Sequence, residues 1–317
     1  MSGRSIAIAL ALFAAGLAAS LAVGYAGRPP AGPAAPDSSP ARVIALAPNV
    51  AECVYALGYG ERVVAVSDYS AYPPEAAAAE RVGGTFNPNL ERIIALDPDL
   101  VIVQGRHEKV AALCEQKGVA ILHVEMNDIR SICDGLRAIG TALGDEAAGD
   151  AACAAMRRGL ADVERRVSGM PRPKTLLCMN HRAGSLGEIT TFGPRSFVSE
   201  LLAIAGGEGI FPDAVADYPQ VSKEALVMRA PEIIVELHPG RELSAEERSA
   251  LTADWRDFPA LPAVNSGRIR FLTDGCLLIP GPRIVLAARR LAEAVHGLPA
   301  GSLDGPVGGS PPEAERE

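Results

Sequence analysis

Short apolar runs and stretches with helical periodicity alternate along most of the chain. The runs RVIALAP, VVAVSD and DLVIVQG are typical of buried strands, and apolar residues recur three or four positions apart in the segments between them. The same order of strand and helix returns from Lys174 to Val295. This alternation predicts an α/β fold with mostly parallel sheets.

Between the two α/β halves the pattern changes to one long amphipathic segment. From Asp145 to Val167 the apolar side chains of one helical face are Ala152, Met156, Leu160, Val163 and Val167. The sequence therefore predicts two similar lobes joined by one long backbone helix. A ligand cleft is expected between the lobes, at the carboxyl ends of the strands.

One pattern occurs twice, as NLERIIALDPDLVIV from Asn89 and as SKEALVMRAPEIIVE from Ser222. Both copies have a capping residue, a glutamate, an apolar run and a proline, each offset by 133 residues. Asn89 and Ser222 predict the start of a short helix, and the proline ends that helix and leads into a buried strand. The repeat supports the prediction of two similar lobes.

The predicted segments follow from these patterns and from the composition of the two ends. An apolar run after Arg4 resembles a signal peptide cleaved after Ala26, with an uncleaved membrane anchor as the alternative. Both alternatives predict a periplasmic or otherwise extracytoplasmic protein. The segments are a signal peptide or N-terminal anchor (1–26), a Pro/Ala-rich linker (27–41), an N-terminal lobe (42–144), the interlobe backbone helix (145–170), a C-terminal lobe (171–298) and a disordered tail (299–317).

The net charge limits the kinds of partner, and the positions of the cysteines bear on whether disulfides form. A net charge of -8 and a pI of about 5.3 exclude the basic surface that nucleic acid requires, so small molecules and proteins remain as partners. The chain has 6 cysteines, none in a CxxC pair. Cys53, Cys114 and Cys133 fall at apolar positions of predicted helices, which favours buried free thiols over disulfides.

Candidate cleft residues follow the predicted strands or precede the two repeat helices. Aromatic rings suit a large, flat or ring-containing ligand, although tyrosines followed by proline also pack turns. The predicted ligand-binding residues are Tyr69, Tyr72, Phe86, Arg106, His181, Arg182, Tyr218 and Asp274. The single tryptophan, Trp255, is expected to pack under a loop.

The histidines allow a second kind of site. His107, His181 and His238 follow strands that end at the cleft, and with Asp274 they could hold Zn²⁺ or Mn²⁺. No His-rich motif and no nucleotide or hydrolase motif occurs, so the sequence predicts no resident metal, no cofactor and no enzyme.

Several segments in order along the chain resemble the helical-backbone substrate-binding proteins of ABC importers, which carry cobalamin, ferric siderophores and haem. They include RVIALAPNVAECVYALG, SDYSAYPPEA, GGTFNPNLERIIALDPDLVIV, AGGEGIF, YPQVSKEAL and GPRIVLAARRL. The resemblance covers about Arg42 to Leu298. It implies a protein that is monomeric when free and has an ABC permease dimer with its ATPase as partner. It also implies that Glu91 and Glu224 dock into arginine pockets on the two halves of that permease.

The likeness is greatest to the cobalamin-binding members, through Tyr69, Phe86 and Tyr218, although a tryptophan is common in that group where Phe86 and Tyr218 stand here. The expected ligand is thus a small metal chelate, a complex of cobalt or iron. A ferric siderophore would use Arg106, Arg182 and Arg195. Haem would use Tyr69, Tyr72 or His181 as an axial ligand. An exported enzyme that handles a metal or tetrapyrrole is the alternative of another class.

Overall fold

The N-terminal lobe is built on one parallel sheet. The computed structural model describes residues 39–304 except 182, 185 and 188. The five strands lie in the order β3-β2-β1-β4-β5, and all four pairs are parallel. The elements are β1 (Val43–Ala45), α1 (Pro48–Ala56), β2 (Val63–Val66), α2 (Pro74–Ala78), β3 (Glu80–Arg81), α3 (Leu90–Ala95), β4 (Leu100–Gln104), α4 (Glu108–Lys117), β5 (Ala120–Val124) and α5 (Ile129–Ala142).

The predicted backbone helix is α6 (Glu146–Val167), which leads from one lobe to the other. Asp145 caps the start of α6, and its side chain accepts a hydrogen bond from the backbone N–H of Ala148 at 2.9 Å. Helix α5 lies so close to α6 that a Cβ on Gly149 would stand 2.8 Å from the carbonyl oxygen of Leu136. Only glycine allows this approach of the two backbones.

The C-terminal lobe repeats the architecture with a four-stranded parallel sheet in the order β11-β10-β6-β8 and a separate antiparallel pair, β7-β9. Its elements are β6 (Lys174–Met179), β7 (Ile189–Thr190), α7 (Phe197–Ile204), β8 (Glu208–Gly209), β9 (Gln220–Val221), α8 (Lys223–Arg229), β10 (Ile233–Leu237), α9 (Ala245–Trp255), α10 (Pro262–Asn265), β11 (Ile269–Leu272) and α11 (Ile284–His296). The predicted α/β fold with two lobes and parallel sheets is confirmed.

One apolar core extends through both lobes along α6. It includes Val50 of α1, Leu136 of α5, Met156 of α6, Leu201 of α7 and Ala288 of α11, all of them buried. Because this burial is shared, the two lobes are packed together along α6.

The structure corrects the expectation of free thiols at one position. Cys133 of α5 is bonded to Cys153 of α6, with a sequence separation of 20. Cys53, Cys114, Cys178 and Cys276 are buried and free. The spacing of the cysteines did not reveal the bridge, because it depends on how α5 crosses α6.

The duplicated pattern forms matched local structure. Asn89 accepts the backbone N–H of Arg92 at 3.0 Å, and Ser222 accepts that of Ala225 at 3.2 Å. Helices α3 and α8 follow these caps, as predicted. Among the described residues other than glycine, only Asp97 and Ala230 have positive φ, at 44° and 48°. These two residues occupy the same position of the repeat, so the strained helix ends are duplicated too.

The predicted start of the first helix differs from the observed one. Helix α1 begins at Pro48 rather than after a cap at Asn49, since proline suits the first helical position. Asn49 is buried inside the helix and donates from Nδ2 to Oε1 of Gln104 at 2.9 Å.

The predicted tail is packed over its first residues. Leu303 is 7% exposed, and Asp304 contacts Arg290 of α11 at 3.0 Å, which corrects the predicted boundary at Leu298. The predicted signal peptide (1–26) and most of the linker lie outside the described residues. Within the described part of the chain, no helix has the length and apolar character to cross a bilayer.

Candidate functional site

Three aromatic side chains stand beside the carboxyl ends of the N-lobe strands. Tyr69 and Tyr72 follow β2, and Phe86 lies between β3 and α3. Tyr69 and Phe86 are each 52% exposed, and Tyr72 is 46% exposed. Half-exposed rings grouped at one edge of a sheet form an apolar surface that a ring-containing ligand can cover.

Buried hydrogen bonds hold the loop that carries Tyr69. The hydroxyls of Ser67 and Ser70 are 3.0 Å apart, and both residues are fully buried. Arg81 donates from Nη1 to the carbonyl oxygens of Ser67 at 2.7 Å and Ser70 at 2.9 Å. The backbone on both sides of Tyr69 is therefore held in place while its ring remains accessible.

Tyr72 is in contact with the other lobe. The guanidinium of Arg283, at the start of α11, lies 3.7 Å from the centre of the Tyr72 ring. Its Nε stands 3.0 Å from Oε2 of Glu52 on α1, and its Nη2 bonds the other carboxylate oxygen. The Glu52 side chain is 2% exposed and that of Arg283 is 20% exposed. Burial raises the pKa of Glu52 against the opposing effect of Arg283. This ion pair joins the two lobes directly.

The C-lobe residues predicted for the cleft are more enclosed. Tyr218 is half-buried and meets the ring of Phe192 edge-on at 5.9 Å, and burial raises its pKa to about 12. Arg195 lies 3.1 Å from Asp217. Asp274 lies 3.3 Å from Nε of Arg290. Arg195 and Asp274 thus both have charged partners within the C-terminal lobe.

His181 follows β6 and its side chain is only 6% exposed. Its Nε2 lies 3.0 Å from Oδ2 of Asp254, and its Nδ1 lies 2.9 Å from Oε1 of Glu236. The second contact is an ion-pair distance, but the ring N–H is not directed along it as in a hydrogen bond. Burial alone would lower the pKa of His181, yet the two carboxylates outweigh it and raise this pKa above 6.5.

Glu236 is a fully buried carboxylate in the apolar strand β10. Besides His181, it accepts from Nε1 of Trp255 and lies 2.9 Å from Nε2 of His238. Burial would raise the pKa of Glu236, but the contacts with His181 and His238 outweigh it and lower the pKa. Trp255 is fully buried, as expected for packing, and it also holds this carboxylate.

The remaining predicted residues are spread out. Arg106 is exposed after β4, and Arg182 lies outside the described residues. His107 contacts the carbonyl oxygen of Gln104 at 3.0 Å, in the lobe opposite His181 and His238. No group of three or more His, Cys, Asp or Glu side chains within the described ranges is arranged to hold a metal ion, so the alternative metal set is not brought together.

The two predicted docking glutamates occupy matched positions. Glu91 and Glu224 are each the second residue of their helix, after the caps Asn89 and Ser222, and both are exposed. Hydrogen bonds from its own backbone N–H and from Ser222 lower the pKa of Glu224.

A cavity of about 950 Å³ lies along α6, between α1 and α11. Small residues of α6 line this cavity, and so do Tyr72 and Arg283. Of the predicted ligand-binding residues within the described part of the chain, Tyr72 alone lines this cavity.

Sequence reasoning missed Glu52, Arg283 and Glu236. A signal existed for Glu236, because a glutamate interrupts the apolar run IIVEL at a position that a parallel sheet buries. Glu52 and Arg283 lie 231 positions apart, and nothing in either local pattern indicates that they pair.

The chain has two α/β lobes packed on one interlobe helix, and aromatic rings are exposed at the carboxyl ends of the N-lobe strands. These features are those of a two-lobe binding protein. Residues 43–274 match the family described as periplasmic binding protein. The vitamin B12-binding protein of Vibrio parahaemolyticus is 30% identical over 254 residues, which cover 80% of this chain and 88% of that protein.

Solved structures agree with this similarity. The periplasmic vitamin B12 binding protein of Vibrio cholerae is 28% identical, with a TM-score of 0.66 over 81% of this chain and 97% of that one. A periplasmic haem-binding protein from Pseudomonas aeruginosa is 25% identical, with a TM-score of 0.66 over 81% of this chain and 93% of that one. The chain belongs to the periplasmic binding protein family, whose members bind and carry substrates for transport and are not enzymes.

Proposed function

We propose that this chain is the substrate-binding component of an ABC importer and that it captures a corrinoid, cobalamin, in the interlobe cleft. The main support for this proposal is that the rings of Tyr69 and Phe86 are half-exposed, and that hydrogen bonds hold the loop on both sides of Tyr69. Cobalamin is bulky and rich in amides, so it requires apolar area and scattered hydrogen bonds more than strong charge. The vitamin B12-binding relatives support the same ligand.

The proposed contacts divide between the lobes. Tyr69, Tyr72, Phe86 and Arg106 supply the N-lobe side. Arg182, Tyr218 and Asp274 supply the C-lobe side, where His181, whose side chain is 6% exposed, acts through the residues that it holds. Tyr218 is supported within its own lobe by its edge-on contact with Phe192.

Calorimetric titration with cyanocobalamin, haem and a ferric siderophore in parallel tests the ligand. We expect saturable one-to-one binding of cyanocobalamin, weakened at least tenfold by Tyr69→Ala, since a ring of this size contributes more than about 1.4 kcal/mol when it is covered. Met228 of α8, which is 83% exposed and is not among the predicted ligand-binding residues, gives a control in Met228→Ala. Binding of haem or the siderophore alone would contradict the corrinoid assignment and retain the transport role.

Haem is the second candidate because Tyr72 is half-exposed beside a cationic partner, Arg283. A tyrosine can be an axial haem ligand. Haem binding that loses its tyrosinate absorption in Tyr72→Phe would favour this alternative.

The partner is proposed to be a permease dimer with its ATPase, docked through Glu91 and Glu224. Two equal charges on two equal helices suit a two-fold partner, since each half of a dimer then meets the same contact. An acid at this helix position also interacts with the helix dipole, worth about 0.3–1 kcal/mol. Both roles are compatible.

Glu91→Gln with Glu224→Gln tests docking by measuring ligand affinity and transport in cells. We expect transport to fail while ligand affinity is unchanged. Glu246 provides the control, because it is the second residue of α9 after the cap Ser244 and is also exposed, but lies outside the repeat. Normal transport by the double variant, or equal loss in Glu246→Gln, would contradict docking.

The chain is proposed to reach the periplasm through a signal peptide cleaved after Ala26. The mass of the mature protein isolated from cells tests this, with Gly27 expected at its N-terminus. A mass that retains the apolar segment would favour the anchored form.

A further inference from the structure

The buried cluster of His181, Glu236, His238, Asp254 and Trp255 is not explained by ligand contact alone. A cavity of about 40 Å³ borders it, lined in part by Asn180, His181 and Trp255. A space of this size holds about one water molecule and no organic ligand. Direct contact between this cavity and an organic ligand is therefore excluded by its size.

The geometry fixes the charge of His181. Each of its two ring nitrogens lies near a carboxylate oxygen: Nδ1 is 2.9 Å from Glu236, an ion-pair distance, and Nε2 is 3.0 Å from Asp254, with hydrogen-bond geometry. A neutral imidazole has one nitrogen with a lone pair, which would point at a carboxylate, so the favoured form is protonated on both nitrogens.

Asp254 connects this charge to the segment after β6. Its Oδ2 accepts the backbone N–H of Gly184 at 2.7 Å as well as Nε2 of His181. Asp254 belongs to α9, whereas His181 and Gly184 follow β6 at the carboxyl edge of the sheet. The charged ring of His181 thus links the turn at Gly184 to helix α9 through Asp254.

We propose that His181 is a positioning residue: in its charged form it bridges Glu236 and Asp254, fixes the turn at Gly184, and thereby makes ligand affinity depend on pH. The part that concerns affinity rests on the proposed binding function. Loss of the proton leaves two carboxylates facing a neutral ring, which frees Asp254 to move and releases the Gly184 N–H.

Other groups around the cluster leave this direction unchanged. Cys178 of β6 stays a neutral thiol, because burial and Glu236 raise its pKa far above the ordinary value. His238 shares Glu236 with His181, since its Nε2 lies 2.9 Å from the second carboxylate oxygen, Oε2, and its ring packs against Phe271 of β11 at 5.8 Å. The charge of Glu247 on α9 is paired with Arg241. Since a His with a raised pKa keeps its contribution at low pH and loses it as pH rises, the effect appears on the alkaline side.

The test combines ligand affinity from pH 6 to 9 with hydrogen exchange of the Gly184 amide in the full exported protein without ligand. We expect affinity for cyanocobalamin to fall as pH rises and His181 loses its proton, because the charged form holds the turn at Gly184. The His181→Gln variant should bind cyanocobalamin weakly at every pH, and its Gly184 amide should exchange faster with solvent. His181→Lys, which keeps a charge throughout this range, should hold its affinity up to pH 9. A purely structural role for the ring would not produce this rescue.

His123→Gln is the matched control, because His123 is exposed and contacts a single carbonyl oxygen, that of Gly105. Side-chain NMR of the 5 histidines should show that the pKa of His181 lies above 6.5, the ordinary value for histidine. The proposal is overturned if the pKa of His181 is at or below 6.5, if the Gly184 amide stays protected in folded His181→Gln, or if His181→Lys keeps the wild-type pH profile. Should none of the three ligands bind, the proposed function fails, and the Gly184 and NMR results still decide the positioning role.

Discussion

Removing the guanidinium of Arg283 tests whether the buried ion pair holds the lobes together. Arg283→Met leaves the carboxylate of Glu52, 2% exposed, without its partner. Breaking a buried pair in this way costs about 3–5 kcal/mol of unfolding free energy. Glu52→Gln should cost less, about 1.5–3 kcal/mol, since Arg283 is 20% exposed and can reach solvent.

Urea unfolding of the wild type, both single variants and the double variant measures these costs. The double variant should be no less stable than Arg283→Met, because the penalty comes from the unpaired carboxylate, which the second change removes. Burial raises the pKa of Glu52, so the folded state binds more protons than the unfolded state. Arg283→Met should therefore regain stability as pH falls toward the pKa of Glu52.

The exposed pair of Arg137 and Asp150 provides the control, since its side chains are 44% and 59% exposed at 2.7 Å. Arg137→Met should change the unfolding free energy by less than about 1 kcal/mol. Equal costs for the two single variants at the interlobe pair, or strictly additive costs in the double variant, would refute the reasoning.

Two further predictions concern the crossing of α5 and α6. Replacing both Cys133 and Cys153 by serine should cost about 3 kcal/mol, from the loop that a separation of 20 residues closes, and reduced wild-type protein should unfold at the same urea concentration as the variant. A cost under about 1 kcal/mol would contradict this entropic account. Gly149→Ala should cost about 1–3 kcal/mol, because its Cβ meets the backbone of α5 at 2.8 Å, whereas Gly187→Ala meets no atom within 4 Å and should be neutral in the same thermal melts. Equal melting temperatures for the two variants would contradict the close crossing.

The sequence predicted those parts of the fold that depend on local chemistry. The caps Asn89 and Ser222 and the helix after Asp145 are determined within a few residues, and all three are confirmed. The partners of Glu52 and Cys133 depend on how distant elements cross, so no local pattern contained them. The aromatic residues were identifiable because rings are rare in this chain, but the greater enclosure of Tyr218 depends on its contact with Phe192.

The pairing of charges around the cleft favours a ligand without strong charge. Glu52 is paired with Arg283, Arg195 with Asp217, and Asp274 with Arg290, while His181 lies between two carboxylates. Of the predicted site residues that the structure describes, Arg106 is the cation left exposed after its strand.

Salt therefore separates the candidate ligands. Raising NaCl from 50 to 500 mM shortens the Debye length to a few ångströms, about 4 Å, and weakens any contact that depends on an exposed charge. Affinity for cyanocobalamin should change less than about twofold, because apolar area and paired charges supply the binding. An anionic siderophore that relied on Arg106 would lose affinity steeply, and Arg106→Gln would remove that loss. A steep salt dependence for cyanocobalamin itself would mean that an unpaired charge contributes to its binding, which contradicts the charge pairing described here.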